Sequence, residues 1–215
     1  MSIPDQELVA LDGRRLGRRA QLTRRRLLDA TTELLGSEGI LELTVVDIAR
    51  KVGTSPATFY QYFQNVEEAV LALAEEVGSE VHGLAELVDG RWQGAKGLDT
   101  ARALTDGFLA YWDQHRAILR TRNLAAQEGD ERFREVRNQA LSQITDRLAA
   151  QVAEFKRAGK VSAEMDAYAA AGAMVSMLER MAAYHYELEG RGVSRSAMVE
   201  TIARIVHQTV TGSKA

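Results

Sequence analysis

The chain has 215 residues, of which 46% are hydrophobic and 27% are charged, a balance typical of a globular protein with a solvated surface. It contains no cysteine, which excludes disulfides, thiol catalysis and cysteine-ligated zinc sites. Taken alone, the net charge of -3 argues against a nucleic-acid binder, but a local basic patch is enough for contact with phosphate. Since neither a signal-peptide core nor a run of about 18 apolar residues is found, we expect a cytoplasmic protein without a membrane segment.

A basic segment opens the chain and leads into the first predicted helix. Its arginines are Arg14, Arg15, Arg18, Arg19, Arg24, Arg25 and Arg26. We expect residues 1–19 to form a flexible basic arm, followed by a helix that ends near Leu35, before Gly36, and that buries Leu22. Alone, such a cluster is as typical of a solvated tail as of a surface that contacts phosphate.

Residues 44–63 predict two short helices joined by a tight turn. The first is indicated by the capping-box spacing of Thr44 and Asp47 and by one apolar stripe, formed by Val45, Ile48, Ala49 and Val52. Gly53 is suited to end this helix in a left-handed conformation. Ser55 is suited to cap the second helix, with Pro56 at its first position. Two helices with such a turn form a helix-turn-helix, whose second helix enters the major groove of DNA.

The second of these helices has two chemically different sides. Phe59 and Phe63 are four residues apart and can face the core together. The outer side is then left to Ala57, Thr58, Tyr60, Gln61 and Tyr62. An ordinary buried hairpin is the alternative, but it gives no reason for two outward tyrosines beside Thr and Gln.

The remaining sequence predicts further helices and no strand. Asn65 is suited to cap the next helix, and Gly90–Gly97 forms the clearest internal loop. Apolar periodicity then predicts helices over residues 98–115, 115–128, 130–155, 162–188 and 194–211. We therefore expect an all-α fold of about nine helices.

Catalytic and metal-binding chemistry receives no support from the sequence. The four histidines (His82, His115, His185 and His207) are dispersed and show no ligand spacing, and no glycine-rich phosphate loop follows a strand. We expect no cofactor, no metal and no enzymatic activity.

At this point the chain resembles the tetracycline repressor (TetR) family of transcriptional regulators. The resemblance is carried by residues 44–63 and by the helix start Glu67-Glu68-Ala69-Val70. It implies a helix-turn-helix domain over residues 20–64 and an effector-binding and dimerisation domain over residues 65–215. It also implies a homodimer that binds a palindromic operator on double-stranded DNA and is released by a small apolar or amphipathic effector.

The resemblance assigns roles to individual residues. Tyr60 and Tyr62 match a phosphate-contacting pair, Thr44 matches a phosphate-contacting helix start, and Ala57, Thr58 and Gln61 match positions that read bases. The expected DNA-binding residues are Arg18, Arg19, Arg24, Thr44, Lys51, Ser55, Ala57, Thr58, Tyr60, Gln61 and Tyr62. One position departs from the family pattern, because Val66 stands where a phosphate-contacting lysine is usual.

For the effector, the resemblance implies a buried pocket in the helical domain. Its candidate lining combines aromatic, methionine and polar side chains: Phe108, Tyr111, Trp112, Arg122, Asn123, Ile144, Met174, Met177, Glu179, Met181 and Tyr184. The alternative is plain core packing, and for Glu179 with Arg180 a surface or interface ion pair. The helices at 164–188 and 194–211 are the expected dimer interface, although they could equally complete a monomer core.

Three points stay open at the level of sequence: the subfamily, the direction of regulation, and an alternative class of protein. The segments Phe108–Trp112, His115–Ala117 and Met177–Arg180 resemble actinobacterial members such as the mycobacterial ethionamide-resistance repressor. The pattern also does not separate a repressor from an activator, and an all-helical small-molecule-binding or enzymatic module without DNA binding is the alternative from another class.

Overall fold

The computed structural model describes residues 15–37, 40 and 42–213, which form eight α-helices and no strand. They are α1 (Arg18–Ser37), α2 (Val45–Val52), α3 (Pro56–Phe59), α4 (Val66–Leu87), α5 (Gly94–Gln127), α6 (Glu131–Arg157), α7 (Ala167–Glu189) and α8 (Arg195–Thr211). The all-α prediction is confirmed. The count is eight when α5 is taken as one element, but α5 is kinked at His115, which is non-helical with φ -115° and ψ 17°, at the boundary that the sequence predicts between two helices.

Several predicted boundaries are corrected. Gly36 lies inside α1, and Gly94 and Gly97 belong to the first turn of α5, which therefore starts before residue 98. The helix predicted from Ser162 begins later, at Ala167, because Asp166 is its N-cap and accepts a hydrogen bond from the Ala169 amide at 2.8 Å. Residues 1–14 of the expected basic arm lie outside the described residues.

The described residues divide into two compact units. Unit 1 contains the chain up to Glu76 together with Ala117–Arg134, and unit 2 contains Val77–Arg116 and the chain from Glu135 onward. The division differs from the one expected at residue 64, because the first half of α4 and residues 117–134 cluster with the helix-turn-helix.

Unit 1 is built around apolar side chains of α1 to α4. Leu27 and Leu28 of α1, Ile48 of α2 and Phe59 of α3 are fully buried. Leu22, which the sequence places on the buried face, is instead 60% exposed, so the buried face of α1 starts at Leu27. The core holds α2 and α3 against α1 and leaves their other sides to solvent.

Unit 2 has its own apolar core. Leu104 and Phe108 of α5, Ile144 and Leu148 of α6 and Val206 of α8 are all buried. None of the described helices combines the length and the apolar run that crossing a membrane requires.

Candidate nucleic-acid interface

The geometry of the helix-turn-helix is set by its caps. The Thr44 hydroxyl accepts from the Asp47 amide at 3.2 Å, and its hydrogen bond to the Asp47 carboxylate lowers the pKa of that group. Gly53 has a left-handed φ of 72°, and the Thr54 amide donates to the Ala49 carbonyl at 2.9 Å, which closes the C-terminus of α2. The predicted capping residues thus have the predicted roles, and they fix where α3 begins.

α3 is short, and its two sides differ as the sequence predicts. Ser55 caps it by accepting from the Thr58 amide at 3.3 Å. Phe59 and Phe63 are buried with ring centroids 5.5 Å apart, whereas Tyr60 is 52% exposed. The other expected DNA-binding residues here are exposed (Ser55, Ala57, Gln61) or half-buried (Thr58, Tyr62).

An open cleft of about 670 Å³ lies between the start of α1 and the turn that precedes α3. This basic cleft is lined by Gly17, Arg18, Arg19, Ala20, Thr23, Arg26, Val52, Gly53, Thr54, Thr58 and Tyr62. Within the described part of the chain, none of its three arginines forms an ion pair. Guanidinium groups without a carboxylate partner among the described residues, beside threonine hydroxyls, favour an anionic ligand with many phosphates.

The neighbouring arginines of α1 are used differently. The Arg24 guanidinium lies 5.1 Å from the Phe63 ring centroid and 3.9 Å from a Glu76 carboxylate oxygen, and burial lowers its pKa. Arg25 binds Asp29 at 2.7 Å and Glu76 at 2.6 Å. Arg24, expected at the DNA, is therefore directed into unit 1, because it lies about 100° around the helix from Thr23.

Besides Arg24, six expected residues lie outside the lining of the basic cleft: Thr44, Lys51, Ser55, Ala57, Tyr60 and Gln61. Lys51 is exposed and forms an ion pair with Glu33 at 2.7 Å. Thr44 is exposed at the start of α2, with its hydroxyl already bonded to Asp47.

Three polar lining residues of the basic cleft are not among the expected DNA-binding residues: Thr23, Arg26 and Thr54. The signal for two of them was helical spacing. Arg19, Thr23 and Arg26 stand at i, i+4 and i+7, which places them on one face of α1, whereas Arg24 and Arg25 fall on others. Thr54 follows the left-handed Gly53 and carries no comparable pattern.

The start of α4 offers no cation. Asn65 caps it as predicted, with its side-chain oxygen accepting from the Glu68 amide at 2.9 Å. Val66 is buried in unit 1 and therefore contributes to packing. The basic charge at this face comes from α1.

The candidate effector residues are spread over both units. Phe108, Trp112, Ile144 and Met174 of unit 2 are buried, Tyr111, Met177 and Met181 are half-buried, and Tyr184 is exposed. The Tyr111 hydroxyl donates to the Val77 carbonyl at 3.1 Å. Arg122 and Asn123 belong to unit 1, where Arg122 is buried and donates to the Asn123 side-chain oxygen at 2.9 and 3.0 Å.

A charged pair joins two helices of unit 2. Buried Glu179 pairs with Arg137 of α6, while its sequence neighbour Arg180 stacks over Tyr184 at 3.7 Å. Glu179, for which an ion pair with Arg180 was the alternative to a place in the pocket, thus joins α6 to α7 through Arg137. Such a charged pair is one group that could orient a ligand.

The histidines take part in structural contacts. Buried His185 lies 2.6 Å from Asp113 and 3.2 Å from Glu189, and His115 lies 2.8 Å from Glu80. Over the ranges that the structure describes, no cluster of three or more His, Asp and Glu side chains is placed to hold a metal ion.

The outer face of α7 and α8 carries an open apolar depression of about 340 Å³. This α7–α8 depression is lined by Met165, Asp166, Ala169, Ala170, Ala173, Met174, Met177, Ile205 and Thr209. Ile205 is 43% exposed and Tyr168 on the same helix pair is exposed as well. Met174 and Met177, expected to line an effector pocket, therefore contribute to this surface.

The described residues combine a capped helix-turn-helix with a neighbouring basic cleft in an all-helical fold. This combination defines the class of helix-turn-helix DNA-binding regulators. Residues 84–215 match the family model described as "Tetracyclin repressor-like, C-terminal domain", and residues 27–73 match that described as "Bacterial regulatory proteins, tetR family". The chain belongs to the TetR family of bacterial regulatory proteins.

Similar proteins are consistent with this assignment. The HTH-type transcriptional regulator BetI of Brucella anthropi is 37% identical over 65 residues, a match that spans 28% of this chain and only 34% of that relative. The fatty acid degradation regulator FadR of Bacillus halodurans has a TM-score of 0.63 at 17% identity, covering 93% of this chain and 98% of its own. FadR of Bacillus subtilis, solved with stearoyl-CoA, has a TM-score of 0.63 at 16% identity, covering 88% and 98%. The structural likeness concerns the fold, and the resemblance to actinobacterial members stays a prediction.

Proposed function

We propose that this protein is a cytoplasmic, non-enzymatic transcriptional repressor that binds a palindromic operator as a homodimer and is released by a small effector. The observation that supports the proposal most directly is the basic cleft, where three arginines that form no ion pair with a described residue lie next to the exposed side of α3. In this arrangement Arg18 and Arg19 bind the DNA backbone, and α3 presents Ala57, Thr58 and Gln61 to the bases. Tyr60 and Tyr62 bind phosphates on either side.

The proposed effector is apolar or amphipathic. Support comes from the buried aromatic side chains Phe108 and Trp112 in unit 2, with the Arg137–Glu179 pair as a polar group in the same unit. The B. subtilis FadR structure of similar fold contains stearoyl-CoA, an amphipathic ligand. Native mass spectrometry of the purified protein tests this: a co-purifying amphipathic mass that lowers DNA affinity supports it, and an effector of purely polar chemistry contradicts it.

DNA binding is tested with fragments recovered by genome-wide selection, using fluorescence anisotropy at two salt concentrations. Gln61→Ala is expected to lose about 1–3 kcal/mol of discrimination between the selected sequence and a scrambled one, because Gln suits the adenine edge. Arg18→Ala is expected to weaken both sequences alike and to reduce the salt slope by about 0.9.

The matched control is Gln114→Ala, which removes an exposed glutamine of unit 2. It is expected to leave both affinities unchanged. If the wild-type protein binds no fragment in a salt-dependent way, the alternative of a helical small-molecule-binding module replaces the proposal. Activation rather than repression is distinguished by transcription from a selected promoter in vitro.

A further inference from the structure

We propose that Arg26 is a positioning residue for DNA recognition: it fastens the C-terminus of α2 to α1 and thereby holds the turn that places α3. This rests on the proposed function and adds a residue that sequence reasoning did not include in the site. The Arg26 Nη2 donates to the carbonyl oxygen of Val52 at 3.0 Å, across 26 positions of sequence.

The carbonyl that Arg26 binds has a special place in α2. Val52 is the last residue of the helix, where carbonyl groups have no partner within the helix. The turn itself satisfies two others, since the Gly53 amide bonds to Arg50 at 3.0 Å and the Thr54 amide to Ala49 at 2.9 Å. Arg26 adds a charge-assisted hydrogen bond from another helix, and this fixes the end of α2 relative to α1.

The same contact changes the charge of the basic cleft. The C-terminus of a helix carries partial negative charge, and Val52, Gly53 and Thr54 bring it to the cleft wall. A DNA phosphate would be repelled by that end if it were bare. The Arg26 guanidinium covers it with positive charge, so the turn that precedes α3 can approach the backbone of DNA.

Arg25 provides a matched control. It lies next to Arg26 on α1, but its hydrogen bonds go to Asp29 and Glu76 and, among the described residues, none goes to α2. Arg26→Met and Arg25→Met remove the same charge from the same helix and keep most of the apolar stem. Arg26→Lys keeps a cation and a donor, and is the rescue variant.

The first measurement is hydrogen exchange of the Gly53 and Thr54 amides in the full chain. We expect exchange about tenfold faster in Arg26→Met, close to wild type in Arg26→Lys and unchanged in Arg25→Met. Unchanged exchange in Arg26→Met would overturn the proposal. Since no DNA is present, this measurement decides the role of the Arg26–Val52 hydrogen bond even if the proposed function is wrong.

The second measurement is affinity for a selected and a scrambled DNA fragment over a range of salt. If the Arg26–Val52 hydrogen bond positions α3, Arg26→Met reduces the ratio of affinities for the selected and the scrambled fragment at least fivefold, and Arg26→Lys restores it. A plain phosphate contact predicts an equal loss for both fragments and a salt slope lower by about 0.9, as expected for Arg18→Ala. That second pattern, with unchanged amide exchange, would contradict positioning.

Discussion

Gly97 is required by packing at a single point of unit 2. A Cβ atom at this position would lie 2.0 Å from the Trp92 carbonyl oxygen and 2.8 Å from the Nε2 of His207. The sequence places Gly97 in a loop, but it belongs to the first turn of α5 and lets that turn pass the backbone of Trp92. Glycine serves here for close approach rather than for a break.

We therefore expect Gly97→Ala to destabilise the protein by about 1–3 kcal/mol, because backbone at Trp92 must move to admit the methyl group. The control is Gly83→Ala, in the same unit and also inside a helix, where an added Cβ meets nothing within 4 Å. It is expected to stabilise by about 0.5–1 kcal/mol through higher helix propensity. Thermal and urea unfolding measure both, and equal effects of the two substitutions would contradict the packing role.

At the scale of elements, α1 illustrates what the sequence predicts and what it does not. The caps Thr44, Gly53 and Ser55 are short-range features, so the helix-turn-helix could be predicted with its boundaries. The role of each arginine could not be predicted, because it depends on which acidic and aromatic side chains lie beside it in the fold. Arg24 and Arg25 form ion pairs with Glu76 of α4 and do not line the basic cleft. No local sequence pattern predicts these pairs.

His207, near the C-terminus of α8, is another residue whose surroundings the local sequence does not predict. His207 is 4% exposed, and within the described residues neither ring nitrogen has a hydrogen-bond partner. Burial lowers the pKa of His207 more than the nearby Trp92 carbonyl raises it. The imidazole therefore stays neutral in the fold, where it packs α8 against the first turn of α5.

The lowered pKa of His207 makes the stability of the folded protein depend on pH. The unfolded chain binds a proton at His207 below about pH 6.5, whereas the folded chain resists it, so stability is full above that pH. As the pH falls towards the lowered folded pKa, the free energy of unfolding decreases, by at most about 1.4 kcal/mol per pH unit. We expect His207→Leu to remove this part of the decrease between pH 7.5 and 5.5, measured by urea unfolding.

The control for this prediction is His82→Gln, at an exposed position in the same unit. It should keep the pH dependence of the wild-type protein. A decrease of the same size in His207→Leu would show that other groups are responsible, and the neutral buried imidazole would then have no part in it.

At the scale of the whole molecule, the charged and the apolar surfaces lie on different units. The basic cleft belongs to unit 1 and the α7–α8 depression to unit 2. A single helix-turn-helix reads only a few base pairs, so tight and specific binding requires two copies on one operator. For the proposed homodimer, we expect the apolar surface at Ala169, Ala170 and Ala173 to permit close approach of helices from a second copy.

Ile205→Glu tests this arrangement, because it places a charge in the α7–α8 depression and a buried unpaired carboxylate is costly. We expect the wild-type protein to sediment as a dimer at micromolar concentration and Ile205→Glu as a monomer. The variant should lose at least tenfold in affinity for the palindrome while its weak affinity for a half-site is unchanged, since unit 1 is untouched. Val193→Glu, at an exposed valine between α7 and α8 that does not line the depression, should remain dimeric. A wild-type monomer at that concentration, or a dimeric Ile205→Glu, would exclude this surface as the interface.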